Sequence, residues 1–157
     1  MTRIFVHGLD SSNQGTKSRF FRETYPDMII PNFEGDLQER MKRLEQILAG
    51  EVDIRLVGSS FGGLMATLYA LDHPPRVARL VLLAPALNMF QFVPDRKDSP
   101  ISVPVRLYHG TADTVIPLEE VVPVARKLFT DLRLQEMQDD HMLHETFRDI
   151  PWDELLN

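Results

Sequence analysis

Ile54-Arg55-Leu56-Val57-Gly58-Ser59-Ser60-Phe61-Gly62-Gly63 runs from a short apolar stretch through a glycine turn into a helical pattern. The order strand, tight turn, helix gives the motif its context. In the form G-x-S-x-G the central residue is Ser60, and Gly58 and Gly62 remove side chains that would collide where the chain reverses. The Ser60 hydroxyl then projects above a sheet. A glycine-rich turn can instead bind phosphate through backbone N–H groups, but this one lacks the Lys-Ser/Thr ending of a P-loop and does not fit G-x-G-x-x-G. Ser59 suits a local turn. Because a serine hydroxyl is a weak nucleophile at neutral pH, the turn has chemical meaning only beside a base.

On either side, short β-branched runs alternate with longer helical patterns, the sequence form of a mostly parallel α/β sheet flanked by helices on both faces. Six strands are expected. They cover Arg3 to Val6, Met28 to Ile30, Ile54 to Val57, Leu80 to Leu83, Val105 to Tyr108 and Leu132 to Met137. The clearest helix runs from Leu37 to Ala49, where Leu37, Met41, Leu44 and Leu48 form one stripe. Asp36 and Glu39 make a capping pattern at its start, and Gly50 suits a left-handed exit. Further helices are expected over Lys17 to Glu23, Phe61 to Asp72, Leu118 to Phe129 and part of His144 to Leu156. Pro123 and Pro151 should break or kink the last two.

The loop after the Val105 to Tyr108 strand reads His109-Gly110-Thr111-Ala112-Asp113. Asp113 is the candidate acid, able to accept the N–H of an imidazole and stabilise its protonated form. An Asp there also suits an ordinary surface turn. After the next strand comes Asp139-Asp140-His141-Met142-Leu143-His144-Glu145, with His141 in the loop. A neutral imidazole can take a proton from Ser60 and return it to a leaving group, so His141 is the candidate base. His144 is its rival, placed inside the following helix. The chain order Ser60, Asp113, His141 is one of the known orders of a serine triad. A metal reading of His141 and His144 fits neither H-E-x-x-H nor H-x-x-E-H, so no metal and no cofactor is expected.

Composition narrows the field. With 157 residues the chain is expected to be a single domain spanning 1–157. Seventeen Lys and Arg against 23 Asp and Glu leave a net charge of −6, which disfavours nucleic acid and anionic lipid as partners. The absence of Cys excludes disulfides, thiolate metal sites and a cysteine nucleophile. No apolar run reaches the roughly 20 residues of a membrane span, nor the h-region of a signal peptide, so a soluble cytoplasmic protein is expected.

At the end of the first strand stands Val6-His7-Gly8-Leu9-Asp10-Ser11-Ser12. Acyl transfer needs donors for a tetrahedral oxyanion, and the backbone N–H groups of Leu9 and Phe61 are assigned to that hole. His7 orders the turn. Val6-His7-Gly8-Leu9, the Gly58 to Gly63 turn, His109 to Asp113 and Asp140-His141 together resemble the α/β-hydrolase superfamily over nearly the whole chain. The His7 to Ser12 opening, a following Lys17 and the G-S-S-x-G-G turn are most similar to small bacterial esterases of the YqiA type. The approach to His141 departs from the Gly-rich form common in the superfamily, so His144 stays in play. The resemblance implies a sheet lacking the first two strands of the full fold, with spatial order 2-1-3-4-5-6. Ser60 would lie near the switch point between strands 1 and 3.

Only about 20 residues separate Leu83 from Val105, too few for an ordinary cap domain, so a compact capless fold with an open site is expected. Within that connection Met89, Phe90 and Phe92 could wall an acyl pocket, joined by Met142, or could seal the core. The expected activity is cleavage of a small-molecule carboxylic ester through a Ser60 acyl-enzyme. A thioesterase or deacylase would use the same triad. A ligand-binding or interaction domain on the same fold is the alternative from another class.

Overall fold

The computed structural model describes residues 1–157. Five strands form one sheet, all pairs parallel: β1 (Thr2–Val6), β2 (Ile54–Ser59), β3 (Val77–Leu83), β4 (Val105–Gly110) and β5 (Leu132–Met137), in the order β1-β2-β3-β4-β5. Helices α1 (Thr16–Thr24), α2 (Leu37–Ile47), α3 (Phe61–Asp72), α4 (Leu118–Leu128) and α5 (Trp152–Leu156) supply the layers. No helix is long and apolar enough to cross a membrane.

The strands alternate between two cores. Ile4, Val6, Leu56, Leu80, Leu82, Val105 and Leu107 face a thirty-residue cluster shared with α2, α3 and α4. Phe5, Val57, Val81, Leu83 and Tyr108 face a fifteen-residue cluster with α1 and α5, centred on Phe21, Phe147 and Trp152. Such period-2 alternation, apolar on both faces, is what a covered parallel sheet demands. α3 crosses between β2 and β3 with eleven of its twelve residues buried, so the turn that carries Ser60 is mounted on the most buried helix.

Two expectations need correction. Residues 28–30 do not form a sixth strand; they add one parallel bridge, Ile4 to Ile29, on the outer side of β1. Ile29 donates to Arg3 O at 2.9 Å and accepts from Phe5 N–H at 3.0 Å. The next rung would require an N–H from residue 31, which is proline, so the ladder ends there. The reversal of chain progression across β1 survives as this bridge. Of the break or kink expected at Pro123, the break does not occur: the residue lies inside α4, where Val121, Ala125 and Leu128 anchor that helix to the core. Pro151 does interrupt, separating the 3-10 turn Phe147–Asp149 from α5. At α2 the Asp36 and Glu39 capping box forms, and Gly50 takes φ 81° beyond its end.

Candidate active site

The carboxyl ends of four strands, β1, β2, β4 and β5, converge on one cavity. At the end of β2 the chain turns through Ser60, which adopts φ 56° and ψ −118°. Such a backbone costs of order 1–3 kcal/mol for an L residue and persists only where neighbours impose it. Here they do. Ser60 N–H donates to Leu83 O at 2.9 Å, and Ser60 O accepts from Gly63 and Ala86 N–H, each at 2.9 Å. The turn is so close to β1 that a Cβ on Gly62 would stand 2.1 Å from Val6 O, and one on Gly58 would stand 2.4 Å from Gly62 O. Only glycine fits these two places.

The ends of β4 and β5 bring the candidate acid and the candidate base. His141 Nε2 lies 3.1 Å from Ser60 Oγ, and His141 Nδ1 lies 2.7 Å from Asp113 Oδ2. Since the carboxylate only accepts, Nδ1 carries the proton and the Nε2 lone pair faces the serine. Asp113 has a fully buried side chain. Its Oδ1 accepts from Val115 and Ile116 N–H at 2.9 and 2.8 Å, which fixes the carboxylate in orientation. His144 stands apart, largely exposed, its Nδ1 2.6 Å from Asp140 Oδ2. The two histidines thus turn to different carboxylates.

His109 and His7 support the site from behind. His109 is fully buried and its Nε2 lies 2.8 Å from Ile116 O, so that nitrogen is the donor; the same atom stands 3.2 Å from Asp113 Oδ2. Its Nδ1 is buried without a partner. Burial pushes its pKa down, against the pull of the Ile116 carbonyl and Asp113. His7 donates from Nδ1 to Gly8 O at 2.7 Å and accepts Phe33 N–H at Nε2 at 2.9 Å. Burial likewise lowers its pKa. Both imidazoles are used as neutral braces.

The cavity at Ser60 has a volume of about 270 Å³. Leu9, Val115 and Met142 are exposed and form an apolar rim; the buried Phe5 adds an apolar patch, and Asp10, Ser11, Thr16, Lys17 and Ser18 make one side polar. Leu9 N–H has no backbone acceptor, and Phe61, as the first residue of α3, has none within its helix. Both N–H groups assigned to the oxyanion hole are thus free of backbone partners. Of the two places open to Met89, Phe90 and Phe92, an acyl wall or a seal on the core, the wall is not here. Phe90 is buried in the main core, and Phe90 and Phe92 line a separate groove of about 690 Å³ against α4. The 3-10 turn Leu87–Phe92 packs toward α4 and draws them away. Met89 lines neither space; Met142 alone of the four reaches the cavity.

Sequence reading missed Val115 at the rim and His109 behind the acid. The four-residue spacing of His109 and Asp113 was the available signal, but only the fold of the loop makes it a contact.

The family model for the alpha/beta hydrolase fold matches residues 4–102. Among solved structures, a YdeN-like hydrolase of Pectobacterium atrosepticum is 24% identical, with a TM-score of 0.72 over 89% of this chain and 78% of that one. Est1E from Butyrivibrio proteoclasticus is 16% identical at a TM-score of 0.78, covering 98% and 84%. A monoacylglycerol lipase from Palaeococcus ferrophilus is 18% identical at 0.74, covering 98% and 91%. At these identities the likeness is one of fold.

Proposed function

The chain belongs to the alpha/beta hydrolase family, and from that premise we propose that it is a serine hydrolase acting on small carboxylic esters. The observation that carries the reading is the unbroken relay from Ser60 Oγ through His141 to Asp113, with links of 3.1 and 2.7 Å. Ser60 Oγ attacks the ester carbonyl while His141 Nε2 takes its proton, and Asp113 stabilises the imidazolium that forms. The carbonyl oxygen, now negative, is received by Leu9 and Phe61 N–H. His141 returns the proton to the departing alcohol. Water then attacks the acyl-enzyme with His141 again as base, releasing the acid and free Ser60.

The His7 to Ser12 opening and the Gly58 to Gly63 turn, similar to YqiA-type esterases, support ester chemistry. An open, small cavity suits short acyl groups.

The test is turnover of p-nitrophenyl esters by wild type, Ser60→Ala, His141→Ala and Asp113→Ala. Each substitution should lower kcat by roughly 10³-fold or more while the protein stays folded. A folded wild type that turns over no ester or thioester contradicts the proposal and favours a binding domain on this fold.

A further inference from the structure

We propose that Lys17 is a positioning residue that ties α1 to the loop carrying His141 and so holds the base against Ser60. The inference rests on the serine-hydrolase reading of the site. Lys17 lines the same cavity as Ser60 and His141. Its Nζ donates to the carbonyl of Met142, the residue after the base, at 2.6 Å. It also stands 5.4 Å from the ring centroid of Phe147, at the far end of that loop.

The place is a poor one for a cation. Lys17 is the second residue of α1, where the helix dipole opposes positive charge. Burial pushes its ammonium pKa down, countered by Asp140 and Asp139 of the base loop. Those carboxylates are engaged elsewhere, Asp139 by Glu145 and Thr146 and Asp140 by His144. The hydrogen bond and the cation–π contact that hold the Lys17 ammonium both come from the segment around His141.

That segment needs fastening. Leu143 adopts φ 53°, a left-handed backbone disfavoured for leucine. Asp139 pins the loop to Asp140 before His141 and to Glu145 and Thr146 after it, and Lys17 holds the stretch between, at Met142 directly after the base. α1 is itself bound to the oxyanion loop, through Ser18 Oγ to Ser12 O at 3.0 Å. Lys17 therefore joins the oxyanion half of the site to the base half.

Lys17→Met keeps the stem and removes the donors; Lys17→Arg keeps charge and donors. The readouts are kcat and KM for p-nitrophenyl acetate, the rate of Ser60 phosphonylation by a fluorophosphonate, and hydrogen–deuterium exchange over residues 140–147. In Lys17→Met, kcat and the phosphonylation rate should fall together by about tenfold or more, with KM within about threefold of wild type and faster exchange confined to the loop. Lys17→Arg should recover most of the rate. Unchanged kcat, a loss confined to KM, an Arg variant no better than Met, or unchanged loop exchange each overturns the proposal. A wild type unreactive toward both reagents overturns the serine-hydrolase reading instead, and loop exchange then reads the tether independently.

Discussion

Ser60 holds a backbone conformation that its neighbours impose, and the histidines around it hold a protonation state in the same way. His7 and His109 are buried, and burial pushes both pKa values below the ordinary imidazole value of about 6.5. In the unfolded chain both would titrate normally. The unfolded state therefore binds more protons, and the stability these groups contribute is complete above about pH 6.5 and drains away as pH falls toward their lowered folded values. Imidazole NMR should show both rings titrating below about 6.5, with the free energy of unfolding decreasing as pH falls below that value. Rings that titrate at or above the ordinary imidazole value contradict this. That Ser60, Asp113 and His141 come together was legible because each stands in a local signature: a glycine-framed turn, a strand-end carboxylate, a loop histidine. His109 behind Asp113 was not, since its contact depends on how a loop folds back.

At the scale of elements, the loop after β5 depends on Asp139. Its carboxylate accepts from Asp140, Glu145 and Thr146 N–H and from the Thr146 hydroxyl. Burial opposes ionisation there, but those hydrogen bonds outweigh it and hold the carboxyl below its ordinary range. Asp139→Ala strands these donors and should cost about 2 kcal/mol in denaturant unfolding. Activity should fall further than stability does, because His141 lies inside the loosened loop. A variant as active as wild type would show that the loop holds its shape without this brace. Helix and strand positions were readable from periodicity, and α2 from its caps. The sixth strand failed at Pro31, where an apolar run meets a missing donor. The acyl wall failed because Phe90 and Phe92 carry no mark of which groove a 3-10 turn will aim them into.

Across the whole molecule, chemistry gathers where the carboxyl ends of β1, β2, β4 and β5 meet, at the crevice beside β1 where the connection changes side. The connection from β3 to β4 supplies a 3-10 turn and no helical cap, leaving Leu9, Val115 and Met142 exposed around Ser60. A parallel sheet with helices on both faces was legible from the alternation of runs, and so was the order of the site residues along it. Their distances were not, because they arise from crossovers that bring residues 60, 113 and 141 together. The central claim is that Ser60 is an activated nucleophile. Labelling with a fluorophosphonate, followed by peptide mass spectrometry, tests it without any choice of substrate. The adduct should map to Ser60 and vanish in Ser60→Ala and His141→Ala; a folded wild type left unlabelled, or labelled at Ser59 instead, would contradict it.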